Sequence, residues 1–343
     1  MIGFSSMRRL RHLLPKRAAA RPPEVSLCIP TWQSRPFIAR TLAFALGQTH
    51  SRTRVLVSVD ACDDGTAEVC EAIARTDPRL RVFVQSERLG WARNVNFLLD
   101  QVRTELFCLY FHDDVIVPQY VERLADALRE RPDAVSAHCD MGHFGASERV
   151  SASVDYPATV AHRLAWFLVG PNRGSPLRSL TRASALRAGL RMPTDAIDGL
   201  WANEPYLMRL LAAGPILHVP ETLYFRWDKR AGGLTEGWRS LTLEQQYTGF
   251  RANISSLLAI IEAATVSDAE RQALRFCLQV HMVDRIRTIE GEHDGASQRP
   301  VDEIHPAFAT VRVPEELSSL GEEIRAWALR RHARAMRLEP VPA

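Results

Sequence analysis

Short apolar runs alternate with helical periodicity from Val25 to about Leu128. The runs Val25–Ile29, Val55–Val59, Leu80–Val84 and Leu106–Phe111 are strand-length and rich in branched and aromatic residues, so they predict four strands. Between them, Ile38, Leu42, Ala45 and Leu46 share one helical stripe, and Trp91, Val95, Leu98, Leu99 and Val102 share another. A middle helix opens at Asp64-Gly65-Thr66, with Cys70, Ile73 and Ala74 as its buried face. A repeated strand-helix order demands right-handed crossovers and a mainly parallel sheet. Ligands of such sheets bind beyond the carboxyl ends of the strands, which is where chemistry is sought.

Beyond Ala134 the pattern predicts a strand over Ala134–Cys139, helices over Ala161–Leu168 and Leu200–Ala213, and strands over Ile216–Val219 and Leu223–Trp227. Two long helices follow between Leu241 and Glu290, then a loop over Gly291–Pro306 and a helix over Pro314–Arg337. The division expected is a basic tail at 1–23, an α/β domain at 24–238 with halves 24–131 and 132–238, and a helical region at 239–343.

Composition narrows the classes. Of 343 residues, 46% are hydrophobic and 24% charged, which suits a packed core. Lys+Arg 43 against Asp+Glu 40 leaves +3, too balanced for a nucleic-acid binder. Lys16 and Lys229 are the only lysines, so no Gly-Lys pair exists for a P-loop. The six cysteines form no Cys-x-x-Cys pair and read as buried hydrophobes of a reducing cytosol. No run approaches the roughly 18 apolar residues of a membrane span. Residues 1–23 carry Arg8, Arg9, Arg11, Lys16, Arg17 and Arg21 and no acid. They suit either a disordered basic tail or peripheral contact with an anionic membrane face.

At the strand ends, Ile29-Pro30-Thr31-Trp32-Gln33 lacks the glycines of a dinucleotide fold, which demotes a dehydrogenase. Asp60 directly follows a buried strand, where a carboxylate can accept from the imide nitrogen of a uracil-like base. Asp63 and Asp64 have a plainer use, Asp64 as a helix cap. Asp113 and Asp114 are adjacent carboxylates at the mouth of the most hydrophobic strand, and either a divalent cation or a turn with Asp114 as cap relieves their repulsion. His138-Cys139-Asp140-x-x-His143 fits no zinc spacing.

These residues carry a family resemblance. Ile29 to Gln33, Asp60 to Thr66, Leu89-Gly90-Trp91-Ala92-Arg93-Asn94 and Phe111-His112-Asp113-Asp114 resemble, in order, four motifs of the family 2 glycosyltransferases. That resemblance implies the GT-A fold, a nucleotide-diphospho-sugar donor, a magnesium or manganese ion and inversion at the anomeric carbon. Pro30, Thr31, Trp32, Asp60, Arg93 and Asp113 are then expected at the donor, and Asp113 and Asp114 at the metal. Phe111 stands where the family has its first metal-motif aspartate.

The acceptor, a glycan or lipid-linked hydroxyl, needs a base. Aligned back from Gly214, Asn203 takes the family's usual aspartate position, so Glu204 is expected as the base and Asp198 as its substitute. Arg226, Lys229 and Arg230 form a cationic loop expected to close over the diphosphate. A catalytically inactive nucleotide-sugar-binding subunit and a sugar-nucleotidyltransferase are the competing readings.

Overall fold

The computed structural model describes residues 21–291 apart from 147, 152, 154, 171–174, 195–196 and 229–233. Most of the basic tail, the helix expected over Pro314–Arg337, and Lys229 and Arg230 lie outside the described residues.

The first half is a strand-helix alternation: β1 (Val25–Thr31), α1 (Ile38–Leu46), β2 (Thr53–Val59), α2 (Thr66–Ala74), β3 (Leu80–Val84), α3 (Trp91–Gln101), β4 (Leu106–Leu109), the short β5 (Val115–Ile116) and α4 (Tyr120–Glu130). Every residue of β1 is buried, as expected for a strand covered on both faces. β3, β2, β1 and β4 lie side by side and parallel, so their carboxyl ends open on one edge of the sheet.

The second half extends that sheet with β6 (Ser136–Gly145), β7 (Arg149–Ser151), β8 (Leu180–Arg182) and β9 (Ile216–Asp228), interspersed with α5 (Val160–Val169), α6 (Ser184–Arg187) and α7 (Asn203–Ala213). The order is β3-β2-β1-β4-β8-β6-β9-β5, with β7 paired to β6. α8 (Leu234–Arg239), α9 (Leu243–Ala263) and α10 (Asp268–Gly291) follow. α9 opens with a reciprocal capping box between Thr242 and Gln245.

Three features differ from the hydrophobic pattern. The antiparallel β8 inserts between β4 and β6, and its three residues are too few to show a period. The two strands expected on either side of Pro220 are one strand, β9, whose pairing with β6 slips so that Cys139 faces Val219 while Asp140 faces Thr222. Proline cannot donate to the ladder, so the irregularity falls beside it. α7 starts at Asn203 and not Leu200, because residues 197–199 form a 3-10 turn and Trp201 adopts φ 56°.

The sheet separates two apolar clusters. α1, α2 and α4 cover one face, with Leu42, Cys70, Tyr120 and Leu124 fully buried. α3, α5, α7, α9 and α10 cover the other, with Leu98, Leu164, Leu210, Phe250 and Leu278 fully buried. The C-terminal helices are therefore part of the core of the α/β unit.

The β6–β9 pair packs tightly at Gly142, where an added Cβ would stand 2.4 Å from Cδ1 of Phe225. Gly142→Ala is expected to lower unfolding free energy by about 1–3 kcal/mol in denaturant titration, with partial recovery when Phe225→Leu makes room.

Candidate functional site

Four loops meet at the carboxyl ends of β1, β2 and β4. Beyond β1, Gln33 takes φ 46°, an uncommon backbone for a residue with a side chain. The loop is held by a relay in which Thr31 Oγ1 donates to Ser34 Oγ at 2.6 Å and the Ser34 N–H donates to Thr66 Oγ1 at 2.8 Å. Asp64 closes the relay, accepting from the Thr66 hydroxyl at 2.7 Å and its N–H at 3.1 Å. Asp64 is thus structural, as its position before α2 suggests.

Asp60 is wholly buried and crowded with donors. Its carboxylate accepts from the N–H groups of Leu89 at 2.6 Å, Gly90 at 2.9 Å and Ala61 at 3.2 Å, and it pairs with Arg88. In this structure these donors occupy the carboxylate where the contact with the imide of a base is expected. Asp60 fixes the loop entering α3. Gly90 at φ 78° allows both N–H groups to point back at one carboxylate. The Arg88 guanidinium then lies 3.9 Å from the centroid of the Trp32 ring, a stacked cation on the expected donor residue. Arg88 was missed in the sequence because it precedes the Leu-Gly segment by one residue and has no periodic signature.

Asn94 sits deeper, and its Nδ2 donates to Ser58 O at 3.2 Å and Thr31 O at 3.5 Å, tying the ends of β1 and β2 together. Arg93 is exposed in the first turn of α3. Pro30 takes part through its carbonyl, 3.2 Å from His112 Nδ1.

Beyond β4, the two neighbouring aspartates part ways. Asp114 is buried, and its Oδ2 accepts from Tyr224 OH at 2.8 Å and Arg178 Nε at 3.0 Å, while its Oδ1 accepts from the Trp227 N–H at 3.1 Å. Burial works against the charge on Arg178, but the Asp114 carboxylate outweighs it and holds the guanidinium well above its ordinary pKa. The expectation of Asp114 as a metal ligand is corrected: three protein donors occupy the oxygens a cation would need, and the group anchors β9 to the β4 loop. Asp113 is left as the carboxylate of the pair that is partly open to solvent. Its carbonyl accepts from Arg40 Nη2 at 3.0 Å, and the neighbouring His112 carbonyl accepts from Thr41 Oγ1 at 2.6 Å, so α1 fixes this turn. Phe111, where the first acidic residue of the motif is expected, has the Arg178 guanidinium 4.7 Å from its ring centroid. Among the described residues no three His, Cys, Asp or Glu side chains converge as a metal cluster.

The far wall of the cleft comes from β6 and β9. Trp227 stacks on Phe144 with ring centroids 5.7 Å apart, and the Arg40 guanidinium lies 5.1 Å from the Trp227 ring. Arg226 is exposed on β9 next to this wall. Asp228 pairs with Arg149 at 3.4 Å.

The His138 to His143 cluster disperses. His138 Nδ1 is 2.9 Å from Ser153 Oγ, Asp140 accepts from His218 at 2.8 Å, and His143 Nε2 is 3.0 Å from Ser151 Oγ. Burial pushes His138 down to about 3, with His218 adding to the effect, so the ring is neutral.

Glu204, expected as the base, is buried away from the cleft. It accepts from Asn253 Nδ2 at 2.8 Å and His281 Nε2 at 3.2 Å, and it pairs with Arg285. A general base needs contact with the acceptor hydroxyl and a pKa near the working pH. Burial alone would raise this carboxyl, but Arg285 and His281 outweigh it and hold Glu204 far below the usual range. The base role at Glu204 is therefore corrected to a structural one. The backbone of Asp198 lies in the 3-10 turn Ile197–Gly199 just before α7, while its side chain is outside the described residues. Asn203 is the first residue of α7 and half-buried.

Comparison with known proteins agrees with this architecture. The model of the family described as Glycosyl transferase family 2 matches residues 26–180. Glycosyltransferase GlyG of Streptococcus pneumoniae is 22% identical over 107 residues, covering 31% of this chain and 36% of that protein. The putative glycosyltransferase EpsH of Bacillus subtilis is 25% identical over 172 residues, covering 48% and 49%. The matches thus span between about a third and half of these relatives' lengths. Among solved structures, residues 1–349 of S. aureus TarS in complex with UDP-GlcNAc align with a TM-score of 0.66 at 17% identity, covering 90% of this chain and 88% of that one. The mannosyltransferase PcManGT from Pyrobaculum calidifontis, in complex with GDP-Man and Mn2+, aligns at 0.52 and 13% identity, covering 94% and 89%. The fold is GT-A.

The environment of Glu204 predicts a pH dependence of stability. An acid whose folded pKa is depressed stabilises the fold above its unfolded pKa, and the contribution is lost as pH falls through the folded pKa. Glu204→Gln is therefore expected to be less stable than the wild type at neutral pH, with the gap shrinking as pH drops below about 4. Denaturant unfolding across a pH series measures the gap.

Proposed function

We infer that this chain, whose residues 26–180 match the model of glycosyl transferase family 2, transfers a sugar from a nucleotide-diphosphate donor to an acceptor hydroxyl with inversion, in the synthesis of a glycan or polysaccharide. The observation that carries this reading is the meeting of four loops at one sheet edge, with Trp32 and Arg88 at one end and Asp113 at the other. The base lies against the Trp32 and Arg88 stack, Asp60 holding Arg88 and the α3 loop in place. Thr31 and Pro30 form the floor through the hydrogen bonds of the β1 loop.

A divalent cation fits Asp113. Magnesium and manganese accept a single protein carboxylate and complete their shells with water and phosphate oxygens, and Asp114, committed to Arg178, Tyr224 and Trp227, is not needed. Such an ion neutralises charge on the departing diphosphate. Arg226, with Lys229 and Arg230 after it, supplies further positive charge from the β9 side. With Glu204 enclosed, Asp198 is the carboxylate that takes the acceptor proton, from a turn at the start of α7. Inversion follows if the acceptor attacks in line from the face opposite the diphosphate.

One set of measurements separates these roles. Calorimetry with a nucleoside diphosphate is expected to show affinity that falls in Trp32→Ala and Arg88→Ala, and that falls in Asp113→Ala and on adding chelator. Asp198→Asn is expected to keep donor affinity while transfer drops by roughly two orders of magnitude or more. Chelator-insensitive binding would remove the metal, and full transfer in Asp198→Asn would remove that base. Donor binding in a wild type without transfer or hydrolysis would favour the binding-subunit reading, which Asn203 at the usual aspartate position supports.

Among the described residues no helix is long and apolar enough to cross a membrane. The six cations within residues 1–23 are read as an attachment to an anionic membrane face, each contributing about 1 kcal/mol within a Debye length of the surface. Deleting residues 1–23 is expected to abolish sedimentation with anionic vesicles at low salt and to leave turnover on a soluble acceptor intact. Equal sedimentation of the two forms would strike out the membrane role.

A further inference from the structure

The cluster around Glu204 joins four helices. Glu204 is the second residue of α7, and its partners Asn253 and His281 belong to α9 and α10, as does Arg285 to α10. His281 Nδ1 lies 3.2 Å from the carbonyl of Leu168, at the end of α5. One carboxylate therefore ties α7 to both C-terminal helices, and through His281 to α5.

The tie sits directly behind the turn that presents Asp198. The Glu204 N–H donates to Trp201 O at 2.9 Å, and Trp201 holds φ 56° with its ring edge-on to Phe250 of α9, centroids 5.6 Å apart. Gly199, at φ 68°, lies so close to α3 that an added Cβ would stand 3.0 Å from Trp91 and 3.1 Å from Ala92. Trp91 is also edge-on to Trp238 of α8, at 6.1 Å. The two N–H groups that bind Asp60, those of Leu89 and Gly90, directly precede α3. A continuous packed path thus runs from α10 through Glu204 and residues 199–201 to the donor loop.

We propose that Glu204 is a positioning residue through which α9 and α10 hold the turn at residues 197–201 against α3, so that the transfer step depends on the C-terminal helices while donor binding does not. The proposal rests on the transferase reading above. Strain at Trp201 and the close approach at Gly199 are conformations that persist only when the surroundings enforce them. A buried carboxylate with two cationic partners is strong enough to do so, and removing a partner is costly.

The proposal includes a proton. Both ring nitrogens of His281 face acceptors, the Leu168 carbonyl and the Glu204 carboxylate, and a neutral imidazole has one N–H for the two. His281 is therefore an imidazolium while the tie is closed. Among the described residues, the charged groups gathered with it are Glu204 from α7 and Arg285 from its own helix. α9 presents the neutral Asn253, and on α5 Arg163 is committed to the carbonyls of Leu211 and Ala158 while His162 is exposed beside Thr159. Deprotonation sets a ring lone pair against a carboxylate and loosens the start of α7.

Steady-state transfer and donor calorimetry on the full chain across pH 6 to 9 test this. Glu204→Gln and His281→Gln are expected to bind a nucleoside diphosphate within about twofold of wild type while kcat falls about tenfold or more. The wild type is expected to lose kcat on the alkaline side in a one-proton step that is missing in His281→Gln. If Glu204→Gln does not fold, Asn253→Ala removes one neutral donor from the same carboxylate and is expected to lower kcat severalfold with donor affinity kept. Wild-type kcat and an unchanged alkaline limb in the variants that fold would overturn the proposal. Loss of donor affinity in parallel with kcat would also overturn it, marking a general structural defect. Asp198→Asn separates the two readings, since its activity bears on the base while the pH step and the Glu204 variants bear on the tie.

Discussion

A carboxylate removed from water must be surrounded by donors, and this constraint organises the whole cleft. Asp60, Asp114 and Glu204 are all buried. Each is given three or four donors from a distant part of the chain: Arg88 to Gly90 for Asp60, Arg178, Tyr224 and Trp227 for Asp114, and Asn253, His281 and Arg285 for Glu204. The desolvation penalty is offset only when the geometry is complete, so each carboxylate acts as an all-or-nothing connector. The loops that carry chemistry are positioned by these connectors and not by their own turn propensities.

Arginines laid on aromatic rings supply the second layer of the site. Arg88 on Trp32, Arg178 on Phe111 and Arg40 on Trp227 follow one another along the edge of the sheet. A planar, weakly hydrated guanidinium can stack on a ring and still direct its edge N–H groups elsewhere. Arg178 uses one on Asp114, and Arg40 one on the Asp113 carbonyl. The near absence of lysine in the chain fits this use, because a flexible ammonium could not serve both contacts.

The C-terminal helices α9 and α10 belong to the same physical unit as the parallel part of the sheet. Phe250, Leu257 and Leu278 share an apolar cluster with Val95 and Leu98 of α3. A boundary drawn near residue 238 marks a change in local pattern, from strand-helix alternation to long helices, without marking a break in the core.

The first half was legible in the sequence because β1, β2 and β4 are almost wholly buried and each helix has one apolar stripe, which are local, periodic signals. β1 to β4 and α1 to α3 lie where the runs from Val25 to Phe111 place them, and the four motifs fall at the strand ends. β8 was not legible, since three residues carry no period, and β9 was split because Pro220 reads as a break. Within the site, residue type located Asp113 and Asp114 but could not rank them, and tertiary structure did so by bringing Arg178 and Tyr224 from 64 and 110 residues away onto Asp114. Glu204 looked like a base because it is an acid at the right sequence distance from Gly214. Whether a carboxylate meets solvent or is enclosed by Asn253, His281 and Arg285 depends on helices 49 to 81 residues downstream, and local sequence holds no record of that neighbourhood.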